Sequence, residues 1–214
     1  MVPLNQLMGE IMRKISKILV ALFSIRLLLV GVAGAAGMPR DSWPLQEMEG
    51  HYYFLGINLH ADHFLKKVSS VNYQLRGELI PWGTEVRIVR VGRNHLVFED
   101  VAKHQRYSYE FHWKTKSTVP LVVHVQRVFL DNVDELKKQV EGMSEVDKDG
   151  VYEGRVKLGM SRDGVLIAIG YPPEFANRDE LMSDRDWLYW ASRYSKMVVS
   201  FGRDGLVTQI VGED

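Results

Sequence analysis

Hydrophobic and polar positions divide the chain into four stretches with different periods. Residues 1–36 carry a nearly continuous apolar run, Ile18 to Val32, behind the basic residues Arg13, Lys14 and Lys17. From His51 the pattern changes to short β-branched and aromatic runs separated by turn residues, which predicts closely spaced strands. The candidates are His51–Asn58, Val71–Gly77, Glu85–Val91, Leu96–Asp100 and Gln105–His112. Over 120–150 the apolar spacing becomes helical, and over 151–214 a helical part is followed by three alternating stretches.

Within the second stretch, Glu85–Val91 alternates strictly and aims Val86, Ile88 and then either Val89 or Val91 at a core. Leu79-Ile80-Pro81-Trp82-Gly83-Thr84 precedes it. Pro81 fixes its own φ and Gly83 is free to take a positive one, so a sharp turn is expected there. The run is similar to the "IP-x-G-T-x-V" opening of bacterial SH3-like domains. Five short strands with tight turns over residues 50–119 predict a small SH3-like β-barrel.

Pro120 opens a run in which Leu121, Val125, Val128 and Phe129 recur at helical spacing, closed by Asp131 and Asn132. A second helix is expected to be capped by Asn132 or Asp131, with Val133, Leu136 and Val140 on one face and Lys137, Lys138 and Glu141 on the other. Asp147-Lys148-Asp149-Gly150 lacks the ligand series of a calcium loop and reads as a turn or a helix start. These residues, 120–150, form a helical connector.

The last stretch, 151–214, predicts an α+β module of two helices and a three-stranded antiparallel sheet. Ser161 is a natural N-cap, Val165, Leu166 and Ile169 make an apolar face, and Gly170 ends the helix. Tyr171-Pro172-Pro173 cannot continue it, because proline removes a donor and restricts the residue before it. Strands are expected at Trp187–Tyr194, at Lys196–Phe201 with Met197, Val199 and Phe201 on one face, and at Leu206–Val211 after the Gly202–Gly205 turn.

Composition narrows the class. With 46% apolar and 25% charged residues in 214, the chain has the makeup of one or two globular domains. A formal charge of zero removes the electrostatic case for nucleic acid, whose binding rests on phosphate neutralisation. The basic residues, the apolar run and Ala33-Gly34-Ala35 follow the order of a secretory signal. An uncleaved inner-membrane helix is the alternative, but Arg26 at its centre would cost about 3 kcal/mol in hydrocarbon. Cleavage after Ala35 would leave a net charge of −3. The chain has no cysteine, so neither disulfides nor a cysteine-linked lipid is expected.

His60-Ala61-Asp62-His63 places two imidazoles and a carboxylate close together, but a metal site needs a third or fourth ligand in fixed geometry. His60 and His63 read as exposed loop residues. His51, His95, His104, His112 and His124 stand singly, none beside a recognisable Ser or Cys nucleophile. No catalytic, cofactor or metal site is therefore expected, and the chain reads as a non-enzyme.

Gly159-Met160-Ser161, Val165, Gly170-x-Pro172, Trp187-x-Tyr189, Val199-x-Phe201 and Gly205-Leu206-Val207-x-x-Ile210 together resemble the SmpA/OmlA (BamE-like) family of small outer-membrane assembly proteins. The resemblance covers the last sixty or so residues. Three features differ from the family pattern: no cysteine follows the signal, a β-rich part precedes the module, and Gly164 replaces the Glu or Gln that completes a capping box. The resemblance implies a non-catalytic cell-envelope module, periplasmic or peripheral to the outer membrane, that binds assembly proteins or lipid. Residues whose type a core does not explain are the candidate contacts: Tyr171, Pro173, Tyr189 or Trp190 (whichever faces out) and Arg193. A secreted inhibitor or ligand-binding protein is the competing reading.

Overall fold

A computed structural model of the chain describes residues 45–71, 75, 77–113, 120–173, 184–190 and 195–212, all within one compact unit. The expected signal or anchor segment at 1–36 and Arg193 lie outside the described residues. No helix among the described residues is long and apolar enough to cross a membrane. The fold is mixed α+β, with a curled eight-stranded sheet, four helices and a separate three-stranded sheet.

A 3-10 turn, Leu45–Met48, leads into strands β1 (Tyr52–Leu55), β2 (Leu59–Ala61), β3 (Lys67–Ser69), β4 (Glu78–Ile80), β5 (Glu85–Val91), β6 (His95–Asp100) and β7 (Gln105–Glu110). Helix α1 (Leu121–Val128) and the short strand β8 (Phe129–Leu130) follow. The sheet runs β4-β2-β3-β7-β6-β5-β1-β8, and β3 pairs with β7 in parallel.

β5 has the predicted bounds, and its alternation aims Val86, Ile88 and Val91 inward. A register shift between Ile88 and Arg90 decides for Val91 over Val89, since a bulge inserts one extra residue and reverses the phase. Gly83 takes the expected positive φ, and Thr84 closes the turn onto the Pro81 carbonyl through both its amide and its hydroxyl.

Two strand expectations need correction. His51–Asn58 is no single strand: β1 ends at Leu55, and the chain passes through Gly56–Asn58 before pairing again as β2. Of Val71–Gly77, residues 72–74 and 76 lie outside the described residues, and Val71, Leu75 and Gly77 form turns or bends. The short strands β2, β3 and β4 were illegible because three residues carry no measurable alternation.

Helix α2 (Asp134–Glu141) has Val133 at its N-cap position, not the expected Asn132 or Asp131, because Asn132 Oδ1 accepts the Asp134 amide at 2.6 Å one residue too early to cap it; helix α3 (Glu145–Glu153) is capped by Ser144. Asp147-Lys148-Asp149-Gly150 thus lies inside a helix. Helix α4 (Arg162–Ile169) is capped by Ser161 as predicted. Strands β9 (Asp186–Trp190), β10 (Lys196–Phe201) and β11 (Val207–Val211) form the antiparallel second sheet in the order β11-β10-β9. Met197, Val199 and Phe201 face its core.

α4 is buried on every side from Gly164 to Ile169, rather than along one face. A helix apolar all round belongs inside a protein, and the five consecutive apolar residues Val165–Ile169 carry that signal. The second sheet covers one side. On the other, Asn58 N donates to the Ile167 carbonyl at 2.8 Å.

Gly164 stands where a capping box would place a carboxylate, and the structure supplies that group from α3. Asp147 Oδ1 accepts the Ser161 amide at 2.7 Å and the Ser161 hydroxyl at 3.1 Å, while Oδ2 accepts the Ser144 hydroxyl at 2.8 Å. One buried carboxylate therefore serves two helix N-termini. A Cβ at residue 164 would collide with Asp147 Oδ1.

Gly164→Ala should therefore destabilise the fold by about 2 kcal/mol, although alanine in an ordinary helix position gains about 0.5–1 kcal/mol over glycine. Urea unfolding measures the difference, and the penalty should shrink in an Asp147→Ala background.

Candidate functional site

The residues expected to contact a partner separate once folded. In β9, Trp187 and Tyr189 face the core while Leu188 and Trp190 lie on the other side, half-buried. Trp190 is thus the outward member of the pair. Tyr189 is buried, and its hydroxyl donates to the Gly170 carbonyl at 3.0 Å. Burial raises its pKa well above the ordinary tyrosine value, with a smaller contribution from Tyr171. Pro173 is buried too, three residues past the Gly170 that ends α4. Neither Tyr189 nor Pro173 can meet a partner directly.

Tyr171 keeps a half-exposed ring, and the Arg127 guanidinium of α1 lies over it at 4.6 Å from the centroid. Stacking of this kind contributes about 0.5–1 kcal/mol at an exposed site. The pair closes a seam between α1, the first sheet and the end of α4. Beneath it lies a cavity of about 10 Å³, lined by Ile57, Leu59, Tyr109, His124 and Gly170 among others. That space holds at most one water. In its wall the Tyr109 hydroxyl and His124 Nε2 are 2.7 Å apart.

His60, Asp62 and His63 diverge. His60 is buried in β2, contrary to the loop expectation, and Nε2 donates to the Gly154 carbonyl at 3.1 Å. A carbonyl only accepts, so Nε2 carries the proton. Asp62 closes a tight turn by accepting the Phe64 and Leu65 amides at 2.9 and 2.7 Å. Those bonds hold its carboxyl below the usual range. His63 is exposed. Among the described residues no three histidine or acidic side chains converge on one point.

A groove that the sequence did not single out lies at the far end of β7. It encloses about 450 Å³ and is lined by Ser69, Asn94, His95, Glu110, Phe111, His112 and Trp113. Glu110 pairs with His95 of β6 and with Ser69 of β3, so the three side chains form one row on the outer face of adjacent strands. The inner face holds Leu96, Tyr109 and Val68. Past the strand end, the Phe111 amide donates to the Asn94 carbonyl and the His112 amide to Ser70 Oγ, both at 2.9 Å. These bonds fix the backbone leading up to Trp113, whose ring lies at the rim, 70% exposed and 5.9 Å from the His112 ring. Phe111-His112-Trp113 directly after an alternating strand was the available signal.

Comparison with family models, curated proteins and solved structures finds no match to this chain.

The buried Tyr189 hydroxyl favours the neutral form in the folded state, so its contribution is complete below the unfolded value near 10 and is lost as pH rises above it. Stability should fall above about pH 10, and Tyr189→Phe should flatten that fall while costing about 1 kcal/mol at pH 7 for the lost bond to Gly170. Urea midpoints between pH 7 and 11 read both effects. Tyr107, also raised by burial and by Glu78, leaves a residual slope.

Proposed function

We propose that this chain is a non-catalytic binding module of the bacterial cell envelope, periplasmic or peripheral to the outer membrane, supporting outer-membrane protein assembly or envelope integrity. One observation carries the reading: residues of the SmpA/OmlA-like signature form a capped helix packed on a three-stranded sheet. Ser161 caps α4, Gly170 ends it, and Trp187, Tyr189, Val199, Phe201 and Val207 fill the core beneath it. The eight-stranded sheet is read as an enlarged SH3-like barrel that presents the module.

The polar groups best suited to chemistry are tied into structure: Asp147 serves helix ends, His60 holds a helix-terminal carbonyl and His124 meets Tyr109. Tyr171 and Trp190 stay partly exposed, and aromatics beside an arginine are the composition of a binding face. Tyr171 with Arg127 and the outward Trp190 are the contact residues of this proposal, with envelope proteins or lipid as their partners.

A photo-crosslinker in place of Trp190, used in cells, tests it. The expected outcome is a crosslink to an outer-membrane assembly protein in the envelope fraction, reduced several-fold by Tyr171→Ala. Recovery of the protein in the cytoplasm with its N-terminus intact would contradict the proposal.

A further inference from the structure

We propose that the groove beside Trp113 binds a neutral oligosaccharide. Its volume, about 450 Å³, lies within the roughly 300–1,000 Å³ of small-ligand sites. The walls combine the exposed indole of Trp113 with several planar or hydroxylic polar side chains. Sugar rings need both features. Their C–H faces carry partial positive charge and seat on the negative face of an indole, while their hydroxyls donate and accept at the edge. Trp113 offers the face, and Asn94, His95 and Glu110 offer the edge contacts, with Ser69 buried at the floor.

The arrangement is built before any ligand arrives. Three strands set the Ser69–Glu110–His95 row, and the Phe111 and His112 amide bonds fix the backbone leading up to Trp113. Gly92 leaves room for the His95 ring, because a Cβ there would approach its Cε1 to 2.8 Å. Such preorganisation lowers the ordering cost of binding.

Charge argues for a neutral ligand over a cationic peptide. Glu110 already holds Lys67 Nζ at 2.7 Å, so the carboxylate keeps acceptor capacity but its charge is compensated. A lysine or arginine side chain entering over Trp113 would have to compete with that pair. A hydroxyl would accept from Lys67 or donate to Glu110 without displacing either.

The groove shares Ser69 with the cavity beneath Tyr171, but Tyr171, Arg127 and Trp190 do not line it, so its failure leaves the envelope reading standing, and failure of that reading leaves this one testable. Chitotetraose and cellotetraose, titrated into the full chain and followed by NMR of the indole N–H groups and by calorimetry, provide the test. At least one should bind saturably, shift the Trp113 resonance and keep its affinity between low and 0.5 M salt. Trp113→Ala should weaken it at least about tenfold, the loss of roughly 1.4 kcal/mol expected of a stacked ring. Glu110→Ala should weaken it more than Glu110→Gln, whose amide still accepts, and the exposed Phe64→Ser should leave it unchanged. An acetylated-sugar preference, seen with chitotetraose alone, would point to cell-wall glycan. No shift of Trp113 at millimolar sugar would overturn the proposal, as would a salt-sensitive lysine peptide binding there instead.

Discussion

Asn58 holds the two halves of the fold together. α3 and α4 end against the first sheet, and the last carbonyls of a helix have no partner of their own. Asn58, fully buried, meets three carbonyls near these helix ends at once, of which Val151 also accepts the Gly154 amide. Its amide N donates to the Ile167 carbonyl, and its Nδ2 donates to Val151 and Ala168 at 2.7 and 3.2 Å. Its Oδ1 accepts the Trp82 amide at 2.8 Å, which ties in the turn before β5. A group left without its partner at this depth costs about 1–3 kcal/mol, so few other side chains could stand here. His60, two residues on, does the same for the Gly154 carbonyl at the end of α3.

This joint places both surface features. With α4 fixed against the first sheet, Gly170 and Tyr171 emerge beside α1, where Arg127 closes the seam. The same sheet carries the row of Ser69, Glu110 and His95, and Ser69 lines both the cavity beneath Tyr171 and the groove beside Trp113. Helix α3 connects through Asp147 to the N-terminus of α4, so both ends of α4 are held by side chains from other elements.

Much of this was legible in residues whose role is local. Ser161 and Gly170 bound α4, Pro81 and Gly83 set the turn, and the period of Glu85–Val91 and Lys196–Phe201 marked strands and their inward faces. What was hidden depended on distant partners. Asn58 looked like an ordinary strand end, and its burial comes from helices roughly a hundred residues away. Gly164 looked like a missing cap until Asp147 filled its place. Tyr189 and Trp190 differ by one position in the alternation, which only the packing of α4 resolves. The groove at Trp113 draws on three strands and a turn, a juxtaposition that no single stretch encodes.

Native-state hydrogen exchange tests most directly whether the Asn58 joint makes the fold one cooperative unit. In the wild-type protein the slowest amides of β6 and of β10 should share one opening free energy. Asn58→Leu should lower it by about 3 kcal/mol or more and let β10 open ahead of β6. An effect within about 0.5 kcal/mol, the size of an ordinary surface substitution, would contradict the account.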